Sequence, residues 1–403
     1  MNKKLVITRI NNRIITSVYE DLTMTEVNIS EENTTGLHNI YLGRVENIVK
    51  NINCAFVEIE KGIKCYYSLD ENTNHIFLNR KNSDKVNVGD LLLVQISKEG
   101  IKSKLPSLTC DINLPGKYVV LVKDATNIMF SNKIKDKNRC GAIKSLLNPL
   151  MNDTVNQFGY IVRTNAEMAD DKCILIEATK LKEKYEHIME IAPFRGAFTN
   201  VYCSDPSYID DIMNIKTSEL ESIITDESDL FEELKCYFEN GYANELKKLK
   251  LYEDKLLPLS KLYNVEGSIR NAINKKVWLK SGGYLIIEPT EALTVIDVNT
   301  GKFAGNKKIK EDTFLKINLE AADEIGKQLK LRNLSGIIIV DFINQYTQEN
   351  KQILWDSFDK IVSKDSISTT LVDMTKLDLV ELTRKKIRKP LHETCYELFS
   401  KFE

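Results

Sequence analysis

Two apolar runs in the second half of the chain each end on an aspartate. In EALTVIDVNTGKF, Glu291 to Phe303, an aliphatic and β-branched stretch leads to Asp297. In GIIIVDFINQ, Gly336 to Gln345, Ile337 to Val340 is wholly apolar and Asp341 follows at once. Runs of this length and composition predict buried strands. A carboxylate at the end of a buried strand costs roughly several kcal/mol unless it is paired, hydrogen-bonded or bound to a metal. One such residue can equally cap a helix or fix a turn. Two in one unit point to a site for a hard cation.

The spacing supports that chemistry. Strand alternation places Leu293, Val295, Asp297 and Asn299 on one face, so an anion and a neutral amide point the same way. Between the two runs, Phe314, Ile317, Ala321, Ile325 and Leu329 recur at helical spacing, with Asp312 or Thr313 available to cap the start. Strand, helix, strand predicts a βαβ unit with parallel strands, which sets both aspartates at C-terminal strand ends. Ligands of open α/β sheets gather at that edge. The two aspartates are 44 residues apart in sequence, and this topology brings them together.

The strings SGGYLIIEPTEALTVIDVNTGKF and NLEAADEIGKQLKLRNLSGIIIVDFI resemble the catalytic core of the bacterial ribonuclease E/G family. The resemblance implies that Asp297 and Asp341 bind a catalytic magnesium, that Asn299 supports the site, and that this region has a DNase I-like fold. It further implies internal cleavage of single-stranded RNA with a preference for a 5′-monophosphorylated end. From the residues themselves follows an acidic metal site on a βαβ unit.

The rest of the chain must position that site and its substrate. LVITRI, Asn11-Asn12 and RIITSVY predict a hairpin, and LTMTEVNIS continues the alternation. This segment is too short to bury a core alone, and the helical stretch 205–272 is its expected partner. By resemblance, 1–37 and 205–272 form one discontinuous RNase H-like domain. Residues 38–112 hold about five short strands with glycine turns, which suggests a small barrel similar to an OB-fold. There Ala55, Val57 and Ile59 share one strand face, leaving Phe56 on the polar face. Tyr66 stands with Lys64 and Ser68. Such rings either stack on bases, worth about 1–3 kcal/mol each, or pack against a neighbouring domain. The resemblance favours RNA contact by Phe56 and Tyr66 and adds Lys104.

Residues 113–204 predict strands around a helix. By resemblance they form a sensor of the RNA 5′-phosphate built from Gly116, Val120, Arg163 and Thr164. An arginine fork and a threonine hydroxyl suit a phosphate, although an isolated Arg-Thr pair on a strand is as easily a surface pair. The segment Ser131-Asn132-Lys133-Ile134 lacks one cation of the family's pattern. Residues 273–390 are the catalytic unit, where Lys302, Lys307, Lys308, Lys310 and the run RKKIRK, Arg384 to Lys389, offer charge for a polyanion backbone. Residues 391–403 stand where the family carries a C-P-x-C zinc link between protomers. Here HETCYELFSKFE has Cys395 and no second cysteine, so neither a structural zinc nor a zinc-linked dimer is expected, and His392 with Cys395 is the remaining metal-ligand pair.

Composition narrows the class. The chain has 403 residues, with 42% hydrophobic and 28% charged, an ordinary globular balance. A net charge of −2 is neutral on nucleic acid, so RNA binding must rest on local patches. Eight cysteines without a C-x-x-C pair, and four scattered histidines (His38, His75, His187, His392), fit reduced thiols and structural or surface histidines rather than zinc fingers or disulfides. There is no signal-like N-terminus and no membrane-length apolar run, so a cytoplasmic protein without a membrane partner is expected. The expected fold class is α+β multidomain: an OB-fold RNA-binding barrel inserted with a 5′-sensor unit into an RNase H-like domain, followed by a DNase I-like α/β catalytic subdomain. The expected function is a magnesium-dependent endoribonuclease acting on single-stranded mRNA and rRNA precursors, with homo-oligomerisation open. The alternatives are a non-catalytic RNA-binding or ribosome-assembly paralogue that keeps the fold, and a nuclease or phosphoesterase acting on DNA.

Overall fold

The computed structural model describes residues 3–31, 36–79, 84–100, 104–151, 157–301 and 307–399. The chain divides into two compact units. One comprises Met1–Ser30, Ser222–Glu227 and Lys250–Glu403; the other comprises Glu31–Glu221 and Ser228–Leu249.

In the second of these, five strands close a barrel. Ile40–Val49 pairs with both Cys54–Glu60 and Leu91–Lys98, and Ser107–Thr109 bridges Ile63–Ser68 to Leu91–Lys98. Alternation fills the interior with Val45, Ala55, Val57, Cys65, Tyr67, Val94, Ile96 and Leu108. Asn200–Tyr202 adds to the Ile40–Val49 strand. A four-stranded sheet follows, in the order Ile128–Phe130, Phe158–Val162, Val119–Lys123, Asn113–Pro115. The helices Lys137–Leu147 and Asp171–Ile191 bury Ile143, Leu147, Ile174, Ala178 and Leu181 in its core. Asp136 starts the first helix by accepting from the amides of Asn138 and Arg139.

The other unit contains two sheets. Lys3–Ile10 and Arg13–Glu20 form the expected hairpin, and Asn11 and Asn12 take φ of 52° and 60°, the left-handed pair that a two-residue hairpin turn requires. Leu220–Thr225, far along the chain, lies beside Lys3–Ile10 in this five-stranded sheet. The helices Val265–Ala272 and Leu391–Phe399 pack Val265, Ile269, Leu391 and Leu398 against Val6, Ile15 and Tyr19.

The second sheet has six strands, in the order Lys276–Trp278, Tyr284–Pro289, Thr294–Asn299, Gly336–Asp341, Leu379–Arg384, Thr369–Met374. Only Thr294–Asn299 and Gly336–Asp341 are parallel neighbours. The helix Lys307–Leu331 connects them, and Gln348–Val362 packs beside it. Both helices share a core with Leu285, Ile296, Val298, Ile338, Val340 and Leu382, the odd or even strand positions of one face. The connecting helix begins at Lys307, so Asp312 and Thr313 lie inside it and do not cap its start. A mixed α/β protein with a closed five-stranded barrel is therefore what the sequence builds. Among the described residues, no helix is long and apolar enough to cross a membrane.

Candidate active site and nucleic-acid interface

The parallel pairing sets Asp297 directly opposite Asp341. The residues that alternate with the buried Thr294, Ile296 and Val298 are Val295, Asp297 and Asn299, on the sheet face turned away from the helices. Asp341 is exposed at the end of its strand. Asn299 Nδ2 donates to Asp297 Oδ2 at 2.6 Å, which fixes that carboxylate's orientation. Partial desolvation at the strand end and, second, the charge of Asp297 push the Asp341 carboxyl above its ordinary value. Among the described residues no lysine or arginine forms an ion pair with either aspartate, and no third His, Cys, Asp or Glu completes a protein-only metal cage. Two facing carboxylates without a protein counter-charge fit magnesium. That ion takes one or two carboxylates and fills its shell with water and substrate phosphate.

Two glycine bends hold the Asn299 end of the strand. Gly301 has φ of +67°, and a Cβ there would lie 2.3 Å from the Gly282 carbonyl oxygen; a Cβ on Gly283 would lie 2.8 Å from the Asn299 carbonyl oxygen. The SGG and NTG segments are glycine-rich because two backbones touch there. Glu320 accepts from the amides of Lys280 at 2.6 Å and Ser281 at 3.3 Å, securing the same bend from the connecting helix. Asn318, fully buried on that helix, donates to the Ile343 carbonyl at 2.7 Å and accepts from the Ile343 amide at 3.0 Å. It therefore pins the chain two residues beyond Asp341. Sequence reasoning used the NLEAADEIG string as a family signature and missed these two positioning roles. The signal was present: an asparagine inside an apolar helix stripe has to find buried partners.

On the barrel, Phe56 and Tyr66 are direct cross-strand partners, both half-buried on the outer face, while their neighbours Ala55, Val57, Cys65 and Tyr67 fill the interior. Lys104 is exposed and lies just ahead of Ser107, the residue paired with Tyr66. The Tyr66 amide donates to the Pro106 carbonyl at 2.8 Å, tying that approach to the strand.

The four candidate phosphate-sensing residues also converge. Arg163 Nη1 donates to the Gly116 carbonyl at 2.6 Å, and Nη2 donates to Asn214 Oδ1. Thr164 Oγ1 lies 3.3 Å from Ser131 Oγ, and Val120 pairs with Ile161 two residues before Arg163. Burial lowers the Arg163 guanidinium from its ordinary value, with Glu177 and Asp210 opposing. Gly116 is glycine for a local reason: a Cβ would fall 2.5 Å from Glu177 Oε1. That buried carboxylate accepts from the amides of Lys117, Tyr118 and Val119 at 2.9, 2.7 and 2.9 Å and from the Tyr242 hydroxyl at 2.7 Å. Glu177 thus shapes the loop whose Gly116 carbonyl receives Arg163, a role no sequence signal announced.

One reading needs correction. Arg384, counted among surface cations, is buried: its Nε lies 2.7 Å from Asp365 Oδ2, and its Nη1 donates to Asn333 Oδ1 and the Leu334 carbonyl. It ties the sheet edge to the end of the connecting helix and presents no charge to a polyanion. Lys302 lies outside the described residues, as do the side chains of Lys307, Lys308 and Lys310. Cys395 is 1% exposed within the core of the five-stranded sheet, and burial pushes its thiol up to about 12. His392 is exposed and 3.9 Å from Glu393.

The profile of the Ribonuclease E/G family matches residues 113–387. Ribonuclease G of Haemophilus influenzae is 34% identical over 385 residues, covering 92% of this chain and 77% of that protein. Ribonuclease G of Escherichia coli (strain K12) is 32% identical over 385 residues, covering 92% and 78%. Ribonuclease E of Nostoc sp. is 33% identical over 378 residues, covering 91% of this chain and 53% of that protein.

Proposed function

Because the chain belongs to the ribonuclease E/G family, we propose that it is a magnesium-dependent endoribonuclease that cuts single-stranded RNA. The observation that carries this reading is the direct pairing of Asp297 with Asp341 on an open sheet face. Those two carboxylates would hold the ion, which when bound supplies a Lewis acid and an activated water for in-line attack on a phosphodiester. Asn299 keeps the Asp297 carboxylate turned outward through its 2.6 Å hydrogen bond. Asn318 and Glu320 fix the backbone on either side of the pair, so the carboxylates keep their separation as substrate arrives. The exposed strand end at Asp341 leaves room for a sugar-phosphate chain.

The finer parts of the proposal are these. The barrel is an OB-fold whose Phe56, Tyr66 and Lys104 guide RNA, and the flanking sheets are RNase H-like and DNase I-like. Arg163, Thr164, Gly116 and Val120 favour 5′-monophosphorylated substrates, which are mRNA and rRNA precursors in the cytoplasm. Products carry a 5′-phosphate and a 3′-hydroxyl. The buried Cys395 thiol is not presented to a metal. The test is cleavage of a labelled single-stranded RNA with magnesium or with chelator, beside a DNA oligonucleotide of the same sequence. Cleavage of RNA only, and only with magnesium, is the expected result. Equal cutting of both strands, or cutting in chelator, refutes the assignment.

A further inference from the structure

The open face that carries the acidic pair also carries an aromatic and cationic cluster. Trp278 pairs with Tyr284 across adjacent strands, and Tyr284 pairs with Asn299 on the next. In the neighbouring row, Lys276 pairs with Ile286, Ile286 with Asp297, and Asp297 with Asp341. Directly paired residues project to one side of a sheet, so Lys276, Trp278, Tyr284, Asn299, Asp297 and Asp341 share a face. With strands about 4.8 Å apart, Trp278 stands about 10 Å from Asn299.

Three features separate this cluster from ordinary surface side chains. Trp278 is 64% exposed, so its ring is not buried in the core. The rings of Trp278 and Tyr284 meet edge-on, with centroids 5.4 Å apart and planes at 63°. Lys276 Nζ lies 3.8 Å from the Trp278 ring centroid and 3.7 Å from that of Tyr284. Two aromatic faces thus hold an ammonium in place without neutralising it. The adjacent Lys275 differs, being paired with Glu288 at 3.0 Å. An ordered cation beside an exposed indole matches one phosphate and one base of a single strand. It also supplies attraction next to two carboxylates that would otherwise repel a polyanion.

We propose that Lys276, Trp278 and Tyr284 form a nucleotide subsite on the catalytic sheet, taking the base and phosphate next to the nucleotide held at Asp297 and Asp341. Trp278 stacks on the base, Lys276 meets the phosphate, and Tyr284 orients both side chains. This inference rests on the endoribonuclease reading, and its test separates the two.

The chain has two tryptophans, and the other, Trp355, is packed against the core of the same sheet. The full chain carrying Asp341→Asn, which should bind without cutting, is titrated with a single-stranded oligoribonucleotide while tryptophan emission is followed. Saturable quenching is expected, most of it absent when Trp278→Phe is added. In the active protein, Trp278→Ala should raise KM about 5- to 150-fold, with the loss sitting mainly in KM, whereas Trp278→Phe retains a stacking ring and stays within a few-fold. Lys276→Met should lower the slope of log affinity against log salt by about one. Emission indifferent to RNA, or a wild-type KM in Trp278→Ala, overturns the subsite while wild-type cleavage keeps the nuclease reading. Quenching by RNA in a protein that never cleaves would uphold the subsite and refute the nuclease.

Discussion

Asp341→Asn should make the metal-free protein more stable while abolishing cleavage. Asp297 and Asp341 face each other across neighbouring strands, about 4.8 Å apart by sheet geometry. Two unit charges at about 5 Å repel by roughly 0.8 kcal/mol in water and about 3 kcal/mol at an effective dielectric of about 20. Asp341 is solvent-exposed, which favours the lower figure, so ~1 kcal/mol is the working value. The sign is fixed by the direction of its titration. Partial desolvation at the strand end and, second, the charge of Asp297 raise the folded-state value. A carboxyl raised on folding therefore costs stability that appears above the unfolded value and is fully present once pH exceeds the folded value. An amide at 341 removes that cost at neutral pH. In chelator, Asp341→Asn should melt about 2–4 °C above wild type for a unit of this size. Magnesium should reverse the order: at about 100 times its Kd it stabilises wild type by ~2.7 kcal/mol, and a site with one carboxylate gains little. Thermal melts in chelator and in graded magnesium, run beside cleavage assays, read both effects. A variant less stable than wild type in chelator, or a magnesium shift equal in both proteins, would refute the like-charge metal site.

Four further outcomes are expected. Asn318→Ala should lower kcat more than KM and cost about 1–3 kcal/mol for each Ile343 backbone group left unpaired, read by melting and steady-state kinetics. Phe56→Ala should weaken RNA binding by about 1–3 kcal/mol with little change in melting temperature, because the ring lies outside the barrel interior; a large melting shift with unchanged affinity would make it a packing residue. Arg163→Ala should erase any rate advantage of 5′-monophosphorylated over 5′-hydroxyl RNA while leaving cleavage of the latter, and a wild type without that advantage would exclude a sensor. Burial pushes the Asp365 carboxyl up, but the hydrogen bonds and charge of Arg384 outweigh it and leave it below the ordinary aspartate value. Its stabilisation is thus complete above that value and lost as pH falls through the folded one, so Asp365→Asn should flatten the loss of stability below about pH 4.

The geometry of the acidic pair was legible in sequence because period-two alternation and the βαβ rule are local. Asp297, Asn299 and Asp341 needed only strand direction and handedness to meet, and the register now sets the two aspartates opposite each other. The barrel interior followed from the same alternation, with Ala55 and Val57 inside and Phe56 outside. What alternation cannot report is a partner distant in sequence. Arg384 looked like one cation of a basic run, yet Asp365, Asn333 and Leu334 receive it in the interior. Glu177 looked like one polar residue of a long helix, yet three consecutive amides on another strand's approach converge on it.

The same distinction explains how the site is held. The proposed metal chemistry rests on two carboxylates, and their types are visible because carboxylates at the ends of apolar strands are costly. Holding them in place requires groups whose purpose is hidden in ordinary residue types: a helix asparagine clamping Ile343, a helix glutamate gathering the amides of Lys280 and Ser281, and glycines at 283 and 301 that let two backbones touch. Each acts on the backbone and not on the carboxylates. A substitution at any of them should therefore leave the acidic pair chemically intact but mis-spaced, so that metal is still bound while turnover falls. The aromatic row at Trp278 and Tyr284 sits on the strands that those glycines connect, so the bend that positions Asn299 also sets the distance from the acidic pair to the proposed base platform.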